Sequence, residues 1–307
     1  MQGENAYIDW LRQRIPSSPR VLIGPGDDTA AVTWGAGPAC LITTDMLLEG
    51  TCFTLEDSPI QVAGVESASP LRVGHKAMAV NLSDIAAMAG IPVAAVVSVG
   101  LPRRGGRHLG EELFWGMKER ADEFGVAIVG GDTNSWDGPL VISISLFGEP
   151  GPAGIVRRSG AEVGDWLIVT GPLGGSIRGK HLDFIPRVRE ALALSSLVRL
   201  KAMIDISDGL SLDLSRLCKE SACGAVLWSD RIPKMPGVTL QQALGDGEDF
   251  ELLAAVHPTD AKRLLHEQPI EGIQIHAIGE VVSVGLWLDV DNCRKPLDVS
   301  GFQHILQ

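Results

Sequence analysis

The chain has 307 residues, 45% of them hydrophobic, and a formal net charge of −12 from 38 acidic and 26 basic residues. This length and apolar fraction predict two domains of ordinary size rather than one. The negative charge excludes nucleic acid as an expected partner, because an acidic surface repels a phosphate backbone. A smaller polyanionic ligand remains compatible with it, provided that metal ions lie between the ligand and the carboxylates.

The cysteines and the apolar runs bear on where the protein works. The five cysteines are odd in number and lack C-x-x-C spacing, which favours reduced thiols over a zinc site or a disulfide framework. The first ten residues contain no apolar signal-peptide core. The longest nearly uncharged apolar run, Ile91–Leu101, is shorter than the ~20 residues that span a bilayer. We therefore expect a soluble, cytoplasmic protein without a membrane partner.

In the first half of the chain, strand-like apolar runs alternate with runs of helical periodicity. Stretches rich in Val and Ile predict strands, and the two longer periodic stretches between them predict helices. This alternation is typical of an α/β or α+β domain. The predicted strands are 40–42, 93–99, 126–129 and 140–146, and the predicted helices are 71–89 and 108–124.

A stretch rich in Pro and Gly, Gly148–Gly154, separates this half from the next and is the best candidate for a domain boundary. We therefore predict an N-terminal domain at 1–149 and a C-terminal domain at 150–307. The second domain contains predicted strands at 165–170, 251–256 and 285–290 and a predicted helix at 211–221.

Aspartates recur where predicted strands or turns give way to small residues. One such aspartate alone is commonly a turn residue or a helix N-cap. Four of them, each beside Gly, Thr or Ser, favour a ligand site instead, because small neighbours let a ligand approach the backbone closely. The four motifs are Gly24–Thr29, Thr43–Asp45, Gly130–Thr133 and Asp205–Gly209.

A fifth aspartate lies inside a predicted helix. The segment Val73–Met88 is apolar almost all round after Lys76, a pattern typical of a buried helix. Asp84 within it needs a partner, because a buried unpaired carboxylate costs several kcal/mol. Lys76 lies about two turns away and could pair with Asp84 only by reaching along the helix. We therefore predict that Asp84 shares a metal ion with the other aspartates.

The ligand types indicate which metal and which chemistry the site would support. Aspartate and hydroxyl oxygens without His or Cys at ligand spacing favour Mg²⁺ or Mn²⁺ over zinc. Several converging carboxylates would repel each other unless divalent ions and a polyanion filled the site. That combination suits chemistry on a nucleoside triphosphate, in which positioning and metal ions act without a catalytic side chain.

One glycine-rich segment has the pattern of a phosphate-binding loop. Gly174–Lys180 fits G-x-x-x-x-G-K after a predicted strand, but His181 follows where that loop needs Ser or Thr. Gly171 and Pro172 also separate the segment from the strand. We interpret the match as chance. The chain lacks a G-x-G-x-x-G or G-x-S-x-G motif, which weakens dehydrogenase and serine-hydrolase alternatives.

Taken in order, the motifs resemble the thiamine-monophosphate kinase family, which shares a superfamily with aminoimidazole ribonucleotide synthetase. The resemblance extends from about Gly24 to Phe302, nearly the whole chain, and the ordered set is far more specific than any single motif. The motifs are Gly26–Asp28, Thr43–Asp45, Val80–Gly90, Gly130–Thr133, Arg158–Gly160, Gly164–Asp165, Asp205–Leu210 and Gly247–Asp249.

The resemblance implies a fold, a reaction and a set of site residues. It implies an N-terminal α/β domain that pairs with a second subunit in a homodimer, followed by a C-terminal α+β domain. The implied reaction converts ATP and thiamine monophosphate to ADP and thiamine diphosphate with several Mg²⁺ ions. The implied magnesium ligands are Asp28, Thr43, Thr44, Asp45, Asp84, Asp132, Asp205 and Asp208. The implied ATP contacts are Gly131, Asp132, Arg158 and Ser207, and the implied substrate contacts are Cys52, Glu248 and Phe302.

The chain departs from the family pattern at two positions. Cys52 stands where the family usually has a His before the residue that is Phe53 here, and Asp246-Gly247 replaces a double Gly. Both positions lie on the expected substrate side, so they bear on the acceptor more than on the ATP chemistry.

Other members of the superfamily and a non-enzymatic role are the alternatives. A selenophosphate synthetase would need a reactive Cys or selenocysteine near the N-terminus, and the hydrogenase-maturation member ends in a Cys; this chain has neither feature. An enzyme similar to aminoimidazole ribonucleotide synthetase and a non-catalytic nucleotide-binding protein stay open.

Overall fold

The computed structural model describes residues 4–15, 18–56, 58–62, 65–291 and 293–304. In these ranges no helix is both long enough and apolar enough to cross a membrane. The helices are α1 (Glu4–Arg12), α2 (Pro70–Ala87), α3 (Gly106–Glu123), α4 (Lys180–Asp183), α5 (Val188–Leu197), α6 (Leu210–Glu220), α7 (Leu240–Gly245) and α8 (Pro258–Glu267), and a 3₁₀ turn spans Ser176–Arg178.

The strands divide between two larger sheets and one small one. The first sheet contains β1 (Val21–Ile23), β2 (Ala30–Val32), β3 (Cys40–Leu48), β6 (Gly90–Pro102), β7 (Ala127–Trp136) and β8 (Val141–Pro150); β4 (Thr54–Leu55) and β5 (Ser67–Ala68) pair separately. The second sheet contains β9 (Trp166–Val169), β10 (Ala202–Asp205), β11 (Gly224–Trp228), β12 (Leu252–Val256), β13 (His276–Val282), β14 (Leu286–Val290) and β15 (Cys293–Pro296).

The first sheet has the order β1-β2-β3-β8-β6-β7, and α2 and α3 pack on one of its faces. All its pairs are antiparallel except β6 with β7, which α3 connects as a crossover. Along the chain, the first sheet ends with β8 at Pro150, and the second sheet begins with β9 at Trp166. The predicted boundary at 149/150 falls at the end of β8 and stays a prediction.

The second sheet has the order β10-β12-β9-β13-β11-β14-β15, and its strands β9, β10 and β12 are apolar on both faces. Ile168 and Met203 belong to the core that also contains α2, whereas Leu167 and Val169 belong to a second core that includes residues of α6 and α7. This alternation follows from the period of two in a strand. The two-domain fold with mixed helices and sheets agrees with the fold class predicted from the sequence.

Helix α2 lies between the two sheets, which explains its sequence. Ser69 caps its N-terminus by accepting a hydrogen bond from the backbone N–H of Arg72, and Pro70 occupies the first turn, where no intrahelical donor is needed. The helix contacts β3 and β8 of the first sheet and β10 of the second. It is therefore buried almost all round, as its apolar pattern predicts.

Two strands continue through polar segments at which the sequence predicts strand ends. β3 extends through Thr43–Asp45 to Leu48, and β7 extends through Gly130–Thr133 to Trp136. The prediction that these aspartates follow strand ends is therefore wrong. In β7, the last strand at one edge of the sheet, polar residues are tolerated because nearly all of its side chains are exposed.

One face of the first sheet is left open by the described helices. Alternation along β3 directs Thr43 and Asp45 toward α2 and directs Thr44 and Met46 the opposite way. The register places Met46 in one cross-strand row with Ser143, Ser98 and Asp132. Met46 is 62% exposed. The open face therefore carries two of the predicted metal ligands, Thr44 and Asp132.

We expect Gly116→Ala to destabilise the first domain, because α2 and α3 touch through their backbones. A Cβ atom at Gly116 would lie 1.9 Å from the carbonyl oxygen of Leu71. The helices would have to move apart, at a cost of about 1–3 kcal/mol or more. Chemical denaturation measures this cost. Gly110→Ala in the same helix is the control, since its Cβ would meet only the flexible end of Leu101; equal effects of the two variants would contradict the close-contact interpretation.

Candidate active site

Three aspartates from three separate elements meet in a cleft between the domains. Asp28 lies in the loop after β1, Asp84 in α2 and Asp205 at the end of β10. One carboxylate oxygen from each lies within 4.8 Å of the others. Sequence analysis predicted all three as metal ligands, and the tertiary structure brings them together.

Neighbouring donors offset part of the negative charge of this cluster. Arg158 makes two hydrogen bonds to Asp28, from Nε at 3.0 Å and Nη2 at 2.7 Å. Ser83 Oγ donates to Asp205 at 2.6 Å, and Thr43 Oγ1 donates to Asp84. One guanidinium and two hydroxyls leave a net negative charge among the three carboxylates.

The pKa values of these carboxyls reflect the remaining repulsion. Burial, followed by the charges of neighbouring aspartates, raises the pKa of Asp84 and of Asp205 well above the ordinary value. Burial and the charge of Asp208 raise the pKa of Asp45 to about 6, although a hydrogen bond with Asp84 opposes the shift. A divalent cation would relieve this repulsion, and hard oxygen donors are the ligands that Mg²⁺ prefers. The residues present therefore fit magnesium.

The loop that follows Asp205 is fixed by a buried carboxylate that sequence analysis did not identify. Asp213 accepts hydrogen bonds from the backbone N–H groups of Asp208, at 2.9 Å, and Gly209, at 3.1 Å. Arg216 contacts the carboxylates of both Asp208 and Asp213. The signal was present in the sequence, because an acidic residue in the first turn of a helix commonly binds the free N–H groups there.

The same loop is hydrogen-bonded to two of the residues predicted to contact substrate, Glu248 and Phe302. The carbonyl oxygen of Ser207 accepts a hydrogen bond from the Glu248 N–H at 2.6 Å, and that of Asp208 accepts one from the Phe302 N–H at 2.9 Å. Asp45, Asp84, Asp205 and Asp208 line a cleft of about 320 Å³ together with Ser207, Cys52, Glu248 and Phe302. Four of the predicted metal ligands and the predicted substrate contacts therefore share one cavity.

A second cavity of about 340 Å³ adjoins the first. It is lined by Arg158 and by α1 residues that include Arg12, and it shares Ser207 and Asp208 with the cleft. Arg12 pairs with Glu220 of α6 at 2.7 Å, which holds α1 over this cavity. Two of the predicted ATP contacts, Arg158 and Ser207, therefore line the same cavity.

Three predicted site residues lie elsewhere in the chain. Thr44 is exposed, donates to the carbonyl oxygen of Ile144 and accepts from Ser145. Gly131 and Asp132 lie on the edge strand β7, beside a groove of about 1310 Å³ that α3 also lines. Within one chain, the structure does not bring these residues to the aspartate cluster, and their roles stay predictions.

Two family models match the chain, one over each domain. The N-terminal domain of the AIR synthase related proteins matches residues 26–149, and their C-terminal domain matches residues 176–286. The chain belongs to the AIR synthase related family. Within this family, it is 38% identical to thiamine-monophosphate kinase of Rhodopirellula baltica, over 98% of this chain and 97% of the relative. The enzyme of the same name from Bacillus subtilis is 30% identical over 92% of this chain and 94% of its own. The resemblance to thiamine-monophosphate kinases is thus confirmed.

Solved structures of this family share the whole architecture. The structure titled AaThiL complexed with AMPPCP and TMP is 26% identical, with a TM-score of 0.82, and covers 99% of this chain and 97% of its own. The hydrogenase maturation protein HypE of E. coli, at 19% identity and a TM-score of 0.69, shows a common fold alone.

Without divalent ions, we expect Asp84→Asn to be more stable than the wild type at pH 8, by an amount on the order of 1–3 kcal/mol. Unfolded aspartates titrate near pH ~3.9, whereas the pKa of Asp84 is raised in the fold. The wild type therefore loses stability as the pH rises above the unfolded value, and the variant does not share this loss. Urea unfolding in chelator at several pH values measures the difference, which should vanish near pH 4.

Magnesium provides the control for this experiment. Since the ion would offset the charge of Asp84, it should stabilise the wild type more than the variant at pH 8. A variant that is less stable than the wild type in chelator at pH 8 would show that Asp84 anchors a structural hydrogen-bond network instead.

Proposed function

We propose that this chain is an ATP-dependent kinase that phosphorylates thiamine monophosphate, with ADP and thiamine diphosphate as products. The observation that carries the proposal is the cleft lined by two aspartates of the cluster, Asp84 and Asp205, and by the predicted acceptor contacts. Support comes from the thiamine-monophosphate kinases that match almost the whole chain, and from a similar structure whose title names AMPPCP and TMP.

The proposed magnesium ligands fall into two groups. Asp28, Thr43, Asp45, Asp84, Asp205 and Asp208 lie at or beside the cleft, whereas Thr44 and Asp132 lie on the open face of the first sheet. When bound, Mg²⁺ would neutralise phosphate charge during transfer. Use of ATP also supports the proposed cytoplasmic location.

The chain's own residues would act through position and charge. Ser207 belongs to the wall shared by the two cavities and Arg158 lines the second cavity, which suits contact with the triphosphate. The acceptor phosphate already carries an anionic oxygen at neutral pH, so the reaction needs no strong general base. Alignment of this oxygen with the transferred phosphoryl group is then the main contribution of the protein.

The acceptor end of the cleft suits a cationic aromatic ligand. Glu248 is half-buried and would face the positive thiazolium or the aminopyrimidine. Phe302 is 48% exposed, with its ring at right angles to that of His304, and would contact an aromatic ring. A cation–π contact of this kind contributes ~0.5–2 kcal/mol. Burial raises the pKa of the Cys52 thiol, so Cys52 would meet the ligand as a neutral group.

The decisive experiment incubates the protein with ATP, Mg²⁺ and thiamine monophosphate and separates the products by chromatography. We expect thiamine diphosphate in equal amount with ADP. Asp45→Asn should lower turnover at least about 100-fold, because it removes a charge that would hold metal. The matched control is Asp137→Asn, at an aspartate whose side chain is 85% exposed.

The same experiment tests the two alternative functions left open by the sequence. Turnover of formylglycinamidine ribonucleotide alone would favour an enzyme similar to aminoimidazole ribonucleotide synthetase. A protein that binds ATP but turns over neither acceptor would be a non-catalytic nucleotide-binding protein. Near-normal magnesium-dependent turnover by folded Asp45→Asn would contradict the metal role of this aspartate.

We also propose that a second copy of this chain covers the first sheet in a homodimer. The sheet has an open face, and its edge strand β7 is exposed along most of its length. Large apolar side chains there are unusually accessible, including Val129 at 64%, Trp136 at 45% and Met46 at 62%. Pairing would also cover Thr44 and Asp132. Within one chain, these two predicted metal ligands do not lie at the aspartate cluster.

We expect the purified protein to have the mass of a dimer at micromolar concentration. Val129→Glu should shift it toward monomer, because a charge on an apolar interface is costly to bury. Light scattering after gel filtration measures the mass. Val284→Glu, at a valine that is 73% exposed near the second sheet, is the matched control. A monomeric wild type, or a Val129→Glu variant that stays dimeric, would contradict this assembly.

A further inference from the structure

A single buried ammonium joins three segments around the acceptor end of the cleft. Lys76 of α2 is 1% exposed, and its Nζ donates to the carbonyl oxygen of Cys52 at 2.5 Å and to Glu248 Oε1 at 2.7 Å. The same nitrogen lies 2.9 Å from Nδ1 of His181. An ammonium group has three hydrogens, and Lys76 has three acceptors around it. With Nδ1 of His181 as an acceptor, all three hydrogens are used within the protein. The ammonium is only 1% exposed and then has no hydrogen left for a ligand, although Lys76 lines the cleft.

His181 completes this arrangement from the segment with the pattern of a phosphate-binding loop. It is fully buried, and its Nδ1 lies 3.0 Å from Glu248 Oε2 as well as beside Lys76. A proton on Nδ1 would be donated to Glu248, and a proton on Nε2 would let Nδ1 accept from Lys76. The tautomer protonated on Nε2 is the one that gives Lys76 its third acceptor.

The consequence for Glu248 is a fixed negative charge at the cavity wall. Burial raises the pKa of this carboxyl, but the charge of Lys76 and the contacts with His181 outweigh burial and hold its pKa below the ordinary value. Its side chain remains 31% exposed. Oε1 accepts a hydrogen bond from Lys76, and Oε2 lies 3.0 Å from Nδ1 of His181, so the orientation of the group is set before a ligand arrives.

The backbone around Glu248 is held as firmly as its side chain. Glu248 and Phe250 have φ values of 54° and 49°, a left-handed conformation that costs energy for residues other than glycine. Asp249 between them accepts hydrogen bonds from the Gly174 N–H at 2.9 Å and from Ser176 Oγ. The donors of the glycine-rich segment thus bind a carboxylate of the chain itself, and the segment serves to position residues 247–251.

We propose that Lys76, together with His181, is a positioning residue for the acceptor: it orients the Glu248 carboxylate without touching the ligand. The inference rests on the proposed function, because it takes Glu248 as an acceptor contact. A purely structural lysine would affect stability alone, whereas a positioning lysine affects acceptor binding through Glu248 and leaves ATP binding unchanged.

The test measures kcat and the KM for each substrate, with thiamine monophosphate and ATP varied in turn. Lys76→Met should raise the KM for thiamine monophosphate about 10- to 100-fold, the scale of a lost hydrogen bond to a charged group, with the KM for ATP within about twofold. His181→Asn should raise the same constant to a smaller degree. Lys201→Met is the matched control. Lys201 also pairs with a buried carboxylate, that of Asp165, at a distance of 2.9 Å, but this pair does not line the cleft.

A double variant separates positioning from direct contact. Lys76→Met leaves Glu248 as an unpaired, largely buried charge, so Lys76→Met/Glu248→Gln provides a folded reference should the single variant not fold. Since Lys76 is proposed to act through Glu248, the double variant should have the same KM for thiamine monophosphate as Glu248→Gln alone. Calorimetric titration with thiamine monophosphate in the absence of ATP should rank the variants in the same order.

The outcomes of this experiment are distinct from those of the activity assay. If the wild type does not phosphorylate thiamine monophosphate, the proposed function fails, and the inference fails with it. If the wild type is active and Lys76→Met changes stability only, or changes both KM values equally, the inference alone is overturned. A double variant clearly weaker than Glu248→Gln would mean that Lys76 acts on the acceptor by direct contact or through Cys52, and it would overturn the inference.

Discussion

Mutual repulsion among buried aspartates is the constraint on which the rest of this structure depends. Carboxylate oxygens of Asp28, Asp84 and Asp205 lie within 4.8 Å of one another. Burial shields Asp84 and Asp205 from solvent, which raises the cost of their charges. A fold optimised for stability alone would avoid this arrangement, because unpaired buried charge is costly. Arg158, Ser83 and Thr43 offset only part of the charge. The remaining demand for positive charge makes the cluster a suitable site for divalent ions and, through them, for a triphosphate.

Helix α2 carries residues of both the aspartate cluster and the acceptor end of the cleft, and so fixes the distance between them. It carries Asp84 in the cluster and Lys76 at the acceptor end, eight residues apart, which corresponds to about 12 Å along the axis at a rise of 1.5 Å per residue. Close backbone contact with α3 at Gly116, together with packing against both sheets, holds the helix in place. The loop of Ser207 and Asp208 forms the opposite wall and is hydrogen-bonded to Glu248 and Phe302. Cluster and acceptor contacts are thus parts of one rigid frame.

Elements whose formation depends on local sequence pattern could be predicted from the sequence. The lengths of strands that depend on pairing with distant segments could not. The helices at 71–89 and 108–124 were predicted to within about two residues, because their apolar periodicity persists over several turns. β3 and β7 were predicted too short, because Thr43–Asp45 and Gly130–Thr133 have the composition of turns. Strand pairing satisfies the backbone of these polar residues regardless of their composition, and pairing partners come from distant parts of the chain.

The sequence by itself determined the kind of site: hard oxygen ligands without histidine or cysteine partners, in an order that matches one family. The tertiary structure decided which of those ligands meet. Thr43 and Thr44 are adjacent in sequence, yet they lie on opposite faces of the sheet, and only packing against α2 selects which face joins the cluster. The partner of Lys76 was likewise out of reach of sequence reasoning, since Glu248 lies 172 positions away. Side-chain types are local properties, whereas charge compensation depends on which distant segments the fold brings into contact.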